Sequence, residues 1–232
     1  MKHHIPNAIT CLNLFSGCVG IVFAFQGRLD YSAYAIFIAA ILDFADGLVA
    51  RALKAYSDIG KELDSLADMV SFGVLPSVII YQLFLQAPQI ATISPYLNLS
   101  AFLIAIFSAL RLAKFNTDIR QTENFLGLPT PANALLVASL PLILTQGNFF
   151  LTSYILNPFF LFLFSLGMGI LLVVEIPLMS LKFKTYKISD NMLRYALILS
   201  ALLLILIFKF AAIPIIIFIY FILSIIQFRL IK

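Results

Sequence analysis

Four aspartates, Asp43, Asp46, Asp64 and Asp68, interrupt sequence that is otherwise strongly apolar. A charged group inside a bilayer costs about 2.5–3.5 kcal/mol even on the lenient insertion scale, so idle decoration does not account for four of them. Their spacing is helical. Asp43, Asp46, Gly47, Ala50 and Arg51 fall at i, i+3, i+4, i+7 and i+8, and Gly60, Asp64 and Asp68 at i, i+4 and i+8. Each set therefore shares one helix face. A turn near residue 55 folds the two helices back on each other. At a rise of about 1.5 Å per residue, Asp46 and Asp64 lie roughly 14 Å from the turn and Asp43 and Asp68 roughly 19 Å. The spacing predicts two pairs of carboxylates at two matched depths.

Four such groups cannot all stay ionised without counter-charge. Either some protonate or divalent cations bind. Two divalent ions balance four carboxylates in formal charge. An all-oxygen ligand set favours Mg²⁺, Mn²⁺ or Ca²⁺ over Zn²⁺. Two neighbouring ions suit phosphoryl chemistry, in which they hold both the attacking and the leaving oxygen. Gly47 and Gly60, facing the cluster, leave room for a ligand or for close helix approach. Arg51 is placed to clamp a phosphate, and Ser57 in the turn offers a hydroxyl donor.

The elements that hold these residues must be membrane helices. Of 232 residues, 62% are hydrophobic and 11% charged, too few charges for a soluble domain. Apolar runs long enough to cross the hydrocarbon core recur along the whole chain, which a lone signal peptide does not explain. The expected fold is an all-α polytopic bundle of about eight spans: roughly 8–26, 31–53, 58–85, 97–115, 132–147, 153–177, 191–208 and 211–228. It forms one domain, 1–232, with the acidic hairpin at about 31–85. Pro141 and Pro214 can kink the short spans that contain them. With the N-terminus in the cytoplasm, all of the 15 Lys and Arg residues except Arg28 and Lys209 fall at one set of span ends. That asymmetry predicts cytoplasmic termini and an even number of spans. The uncharged stretches around 86–96 and 147–152 read as short outer loops. The net charge of +4 reports orientation and headgroup contact, and no nucleic-acid partner is expected. Cys11 and Cys18 read as small packing residues. Trp is absent, so Tyr and Phe must supply any aromatic belt.

From Asp43 to Asp68 the chain reads D-x-x-D-G-x-x-A-R-x(8)-G-x-x-x-D-x-x-x-D. This resembles the signature of the CDP-alcohol phosphotransferases, with every defining position filled. The resemblance implies that Asp43, Asp46, Asp64 and Asp68 hold two divalent metals, Mg²⁺ or Mn²⁺, and that Asp68 is also the general base on the incoming alcohol. It implies that Gly47, Arg51 and Ser57 contact the CDP portion. The Asn7-Ala8-Ile9-Thr10 stretch looks like the family's further nucleotide contact, through Asn7 and Thr10. A homodimer is implied as well.

Four further stretches resemble the serine-using branch of that family: Pro6-Asn7 with Thr10, Asn13 and Gly17; Ser71-Phe72-Gly73 with Pro76; Arg111 to Asn116; and Phe125 to Ala132. The implied reaction joins CDP-diacylglycerol and L-serine into phosphatidylserine and CMP, at the cytoplasmic face of the cell membrane. Serine's carboxylate wants a cationic partner, and Arg111 and Lys114 lie at a cytoplasmic helix end. Either could meet that carboxylate or a substrate phosphate, with Asn116 and Ser71 as further candidates. Other acceptors within the family, such as glycerol phosphate, inositol phosphate or an archaeal ether-lipid substrate, remain open. So does a cation or proton transporter, since intramembrane carboxylates often mark ion paths.

The remaining polar residues read as structural. His3 and His4 belong to a solvated tail, and Glu175 to a headgroup-level or packing role. Lys182, Lys184 and Lys187 suit contact with anionic lipid. Gly167 and Gly169 suggest close helix packing. Asp58 and Glu62 read as wetted partners of Lys54 and Lys61.

Overall fold

The computed structural model describes residues 4–88, 96–117, 125–179, 187 and 191–230. Arg120, Lys182 and Lys184 from the orientation pattern, and Lys2, His3 and Lys232 at the ends, lie outside the described residues.

The chain is almost wholly helical. The helices are α1 His4–Phe25, α2 Leu29–Leu53, α3 Asp58–Asp68, α4 Leu75–Gln86, α5 Leu103–Thr117, α6 Thr130–Leu144, α7 Phe149–Ile155, α8 Pro158–Val173, α9 Met192–Phe208 and α10 Ala212–Leu230. Among the described residues, the one departure from an all-helical expectation is a two-residue antiparallel pair, β1 Phe125–Leu126 with β2 Pro177–Leu178. It ties the approach to α6 to the segment after α8. Gly127, at φ +76°, closes this tie. A Cβ there would stand 2.7 Å from the Leu172 carbonyl oxygen, so only glycine fits without backbone movement.

Five described stretches are long and apolar enough to cross a membrane: His4–Phe25, Leu29–Leu53, Asp58–Gln86, Leu97–Thr117 and Met192–Gln227. A sixth forms if α7 and α8, bent by 65°, count as one. The bend falls at Pro158, whose ring and missing N–H interrupt the helical ladder. The expected loop at 147–152 is thus largely helix. α6, with 15 residues, is short for a span, and Pro141 sits inside it without ending it. The run Met192–Gln227 breaks at Lys209, whose φ is +50°, and α9 and α10 pack on each other across that break. Fewer stretches thus qualify by length and composition than the eight expected. The protein is a polytopic membrane protein.

Burial follows from this solvent. Phe15, Phe25, Ile41, Phe44, Leu206 and Phe218 are all exposed. Large apolar side chains in such numbers suit an outer face wetted by lipid. Cys11 and Cys18 also face outward, not into the packing between helices as expected. The interior core, with Ile36, Phe72, Leu75, Ile79, Ile104, Leu142 and Leu161 fully buried, gathers around α4.

One irregularity positions the acidic face. Between α3 and α4 the helix widens into a π turn over Met69–Val74. Pro76 has no N–H to offer the Phe72 carbonyl, and its ring crowds that group. The wider turn absorbs the conflict directly after Asp68, and such π turns recur at functional sites.

Candidate active site

The expected hairpin is present. α2 ends at Leu53, Lys54 turns the chain in the left-handed conformation, and Ser57 caps α3. Ser57 Oγ accepts from the Gly60 amide at 3.1 Å, an N-cap bond that satisfies one orphan donor of the helix start.

The four carboxylates lie within electrostatic reach of one another across the hairpin. Asp43, Asp64 and Asp68 each offer an oxygen within 4.8 Å of the others'. Asp46 stands beside them, within electrostatic reach of Asp43 and Asp64. α1 packs against both arms of the hairpin. Thr10 Oγ1 donates to Asp46 Oδ2 at 2.6 Å, and Asn13 Nδ2 donates to Asp68 Oδ1 at 3.3 Å. α1 thus contributes a hydrogen bond to one carboxylate on each arm.

Asp46 and Asp68 are buried, and Asp43 and Asp64 partly so. Among the described residues, none of the four makes an ion pair. Asp64 Oδ1 and Asn13 Oδ1 are buried without a hydrogen-bond partner. Concentrated negative charge, unpaired and ending in unused oxygen lone pairs, fits a hard divalent cation. The donor set is all oxygen, as Mg²⁺ or Mn²⁺ requires.

Beside the cluster lies a cavity of about 210 Å³ between α1 and the hairpin turn. Asn7, Thr10, Gly47 and Ser57, four of the five expected nucleotide contacts, line it together with Asp46 and Asp64. Arg51 is exposed on the last turn of α2, and its Nη2 lies 3.9 Å from where a Gly47 Cβ would stand. Gly47 otherwise borders open space. Gly60 is different: a Cβ there would meet Asn7 Oδ1 at 2.9 Å and Ser57 Oγ at 3.0 Å. Its missing side chain lets α1 close on the turn.

The other predicted residues separate. Arg111 is buried, with Asp68 and Tyr220 as its electrostatic neighbours, and its Nε and Nη2 have no hydrogen-bond partner. Lys114 instead points outward and pairs with Glu175 at 2.9 Å. Asn116 Nδ2 donates to Ser65 Oγ at 2.8 Å, bracing α5 against α3. Ser71 is buried and donates to the Asn13 carbonyl at 3.0 Å, bracing the π turn against α1. Asp58 and Glu62 pair with no lysine among the described residues. Exposed pairs gain little in water, and Lys61 Nζ donates to the Asn116 carbonyl at 3.2 Å instead. Gly169 packs as expected, its Cβ position 2.5 Å from Phe107, whereas Gly167 faces open space.

Sequence reasoning missed the carboxylate-orienting work of Thr10 and Asn13. The signal was present as a stripe: Asn7, Thr10, Asn13, Gly17 and Gly20 recur at helical spacing on one face of an apolar helix. Tyr56 and Lys61 in the cavity wall carried no comparable pattern.

The sequence profile of the CDP-alcohol phosphatidyltransferase family matches residues 3–173. A protein of Bacillus subtilis (strain 168) named CDP-diacylglycerol--serine O-phosphatidyltransferase is 33% identical over 75% of this chain and 89% of its own length. A protein of the same name from Helicobacter pylori (strain J99) is 35% identical over 96% of this chain and 90% of its own. One from Methanocaldococcus jannaschii is 39% identical over 57% of this chain and 58% of its own.

Proposed function

The chain belongs to the CDP-alcohol phosphatidyltransferase family, and from that premise we propose that it transfers the phosphatidyl group of CDP-diacylglycerol to L-serine, giving phosphatidylserine and CMP. The observation that carries the serine reading is the activity named for relatives as distant from one another as two bacteria and an archaeon. The buried, unpartnered Arg111 beside Asp68 supports it, because a carboxylate acceptor needs such a donor.

The liponucleotide keeps its acyl tails in the bilayer and lays its CDP head in the cavity between α1 and the turn. Asn7, Thr10, Gly47 and Ser57 line that space, and Arg51 reaches over it toward the phosphates. Asp43, Asp46, Asp64 and Asp68 would hold the divalent cations on which this family generally relies, Mg²⁺ or Mn²⁺ (Ca²⁺ also suits the donors). Such cations supply neutralisation of the pyrophosphate and of the departing CMP.

Asp68 takes the proton from serine's hydroxyl. Asn13 holds one of its oxygens and leaves the other for that proton. The serine oxygen forms a bond to the phosphorus bearing diacylglycerol, the bond from that phosphorus to the CMP oxygen breaks, and CMP leaves with the electron pair. The displacement is direct, with no covalent enzyme intermediate. The reading further places the protein in the cell membrane as a single domain and a homodimer, with this end of the bundle facing the cytoplasm.

The test is an acceptor screen in proteoliposomes containing CDP-diacylglycerol and Mg²⁺. CMP release and product lipids are followed with serine, glycerol 3-phosphate or inositol phosphate. Phosphatidylserine formed with serine alone is the expected result. Turnover of another acceptor, with none of serine, would overturn the assignment.

A further inference from the structure

Among the described residues, buried side-chain atoms without a hydrogen-bond partner fall into two groups. Asn13 Oδ1 and Asp64 Oδ1 belong to the carboxylate cluster. Ser108 Oγ, Arg111 Nε and Nη2, and both polar atoms of Asn133 do not. Ser108 and Asn133 are fully buried, and Arg111 is 7% exposed. Each unmade buried bond costs about 1–3 kcal/mol, and more where the group is charged. Three such residues together mark a place where something else completes the bonds.

Arg111 is an electrostatic neighbour of Asp68, and α5 and α6, which carry the three residues, both pack on the π turn that follows it. Ser108 and Arg111 lie one turn apart on the same face of α5. The Cβ of Ser108 would stand 3.1 Å from a Cβ on Gly73 in the π turn, and Arg111 has Asp68 and Tyr220 as neighbours. Asn133 sits in the first turn of α6, a helix that packs on the π turn and on α10. The approach to α6 is tied to the end of α8 by Leu128 N to Leu171 O and by the β1–β2 pair. Met179, directly after β2, accepts a 2.8 Å hydrogen bond from Tyr220. The start of α6 is thus linked, through β2 and Met179, to Tyr220, the electrostatic neighbour of Arg111.

The chemistry matches a zwitterion. The Nε and Nη2 edge of arginine presents two parallel donors, the geometry that a carboxylate accepts bidentately. Asn133 offers a free carbonyl oxygen for an ammonium and a free amide for a second carboxylate bond. An acceptor without an ammonium would leave Asn133 Oδ1 buried and unpaired, which is how a site rejects an analogue.

We propose that Ser108, Arg111 and Asn133 form the amino-acid subsite of the acceptor: Arg111 receives the α-carboxylate, Asn133 Oδ1 receives the α-ammonium, and Ser108 completes the carboxylate shell. The subsite rests on the serine reading above. It adds Ser108 and Asn133 as determinants of acceptor specificity.

The experiment uses the full chain in lipid nanodiscs, with KM for serine and for CDP-diacylglycerol measured from CMP release. Asn133→Leu removes both polar functions at nearly constant shape. It raises the serine KM at least 10-fold, leaves the CDP-diacylglycerol KM within twofold and does not lower the unfolding temperature, since an unpartnered amide is replaced by an apolar group. A serine KM within twofold of the unaltered protein overturns the subsite. Should Asn133→Leu fail to fold, Ser108→Ala decides: a threefold or larger rise in serine KM supports the subsite, and no rise overturns it. An unaltered protein that uses another acceptor and not serine overturns the serine reading and the subsite together. An unaltered protein that uses serine, with both variants unaffected, overturns the subsite alone.

Discussion

Thr10 Oγ1 donates a 2.6 Å hydrogen bond to Asp46 Oδ2, joining the first helix to the acidic hairpin at the edge of its carboxylate cluster. Together with the Asn13 bond to Asp68, it makes α1 a structural part of the site.

Removing that hydroxyl tests the coupling. Thr10→Val keeps the shape and deletes a hydrogen bond to a charged group, worth about 1.5–3 kcal/mol. The Mg²⁺ concentration for half-maximal CMP release is expected to rise about 10-fold, the change that roughly 1.4 kcal/mol produces. Thr10→Ser restores it. An unchanged Mg²⁺ dependence in the valine variant would detach Thr10 from the metal-binding role of Asp46.

The packing of α1 on the π turn makes a second prediction. A Cβ on Gly17 would lie 2.5 Å from Ser71 Oγ and 3.0 Å from Ser71 Cα, so backbone must move and the Ser71 bond to the Asn13 carbonyl is lost. Gly17→Ala is expected to destabilise the fold by about 1–3 kcal/mol, the usual range for overpacking, and to slow turnover because Ser71 follows Asp68 by less than one turn. Gly167→Ala is the control. Nothing lies within 4 Å of its Cβ position, and alanine favours helix by about 1 kcal/mol over glycine, so the unfolding temperature holds or rises. Unfolding in detergent, followed by intrinsic fluorescence, separates the two variants.

Lys114 and Arg111 should behave differently despite their shared motif. Lys114 and Glu175 form an ion pair with both side chains about half exposed, and such pairs contribute about 0–1 kcal/mol. Lys114→Ala is expected to keep serine turnover within about fivefold, the change that about 1 kcal/mol produces. A larger rise in serine KM for this variant would move the acceptor toward the surface.

Much of this was legible before the fold. The hairpin could be read because charge in an apolar run is costly and helical spacing places residues on faces; Asp43, Asp46, Asp64, Asp68, Gly47 and Gly60 needed no tertiary information. The part played by α1 could not be read, because it depends on which helix crosses the hairpin, and Thr10 and Asn13 reach it from a distant part of the sequence. Arg111 and Lys114 looked equivalent for a similar reason. They are three residues apart near one helix end, and only the tertiary packing of α5, chiefly on α8 and the π turn, buries one while the other reaches Glu175. The broken membrane segments escaped too. Pro158 opens a new helix after a sharp bend whereas Pro141 lies inside a continuous α6, and proline alone does not tell the two apart.

Metal dependence is the expectation that the proposed reaction and four carboxylates without a paired cation among the described residues set up. Chelation by EDTA is expected to abolish CMP release, and Mg²⁺ or Mn²⁺ to restore it. Full activity in excess chelator would leave the carboxylates to be neutralised by protons, and the site would need another way to offset the charge of the pyrophosphate.

The most direct test of the acidic hairpin as the reacting centre is Asp68→Asn, assayed for both turnover and binding of CDP-diacylglycerol. Removing a general base costs about 100- to 10,000-fold in rate, so serine-dependent CMP release is expected to fall at least that far while Mg²⁺-dependent binding of the liponucleotide largely persists. Near-normal turnover in that variant would contradict the account.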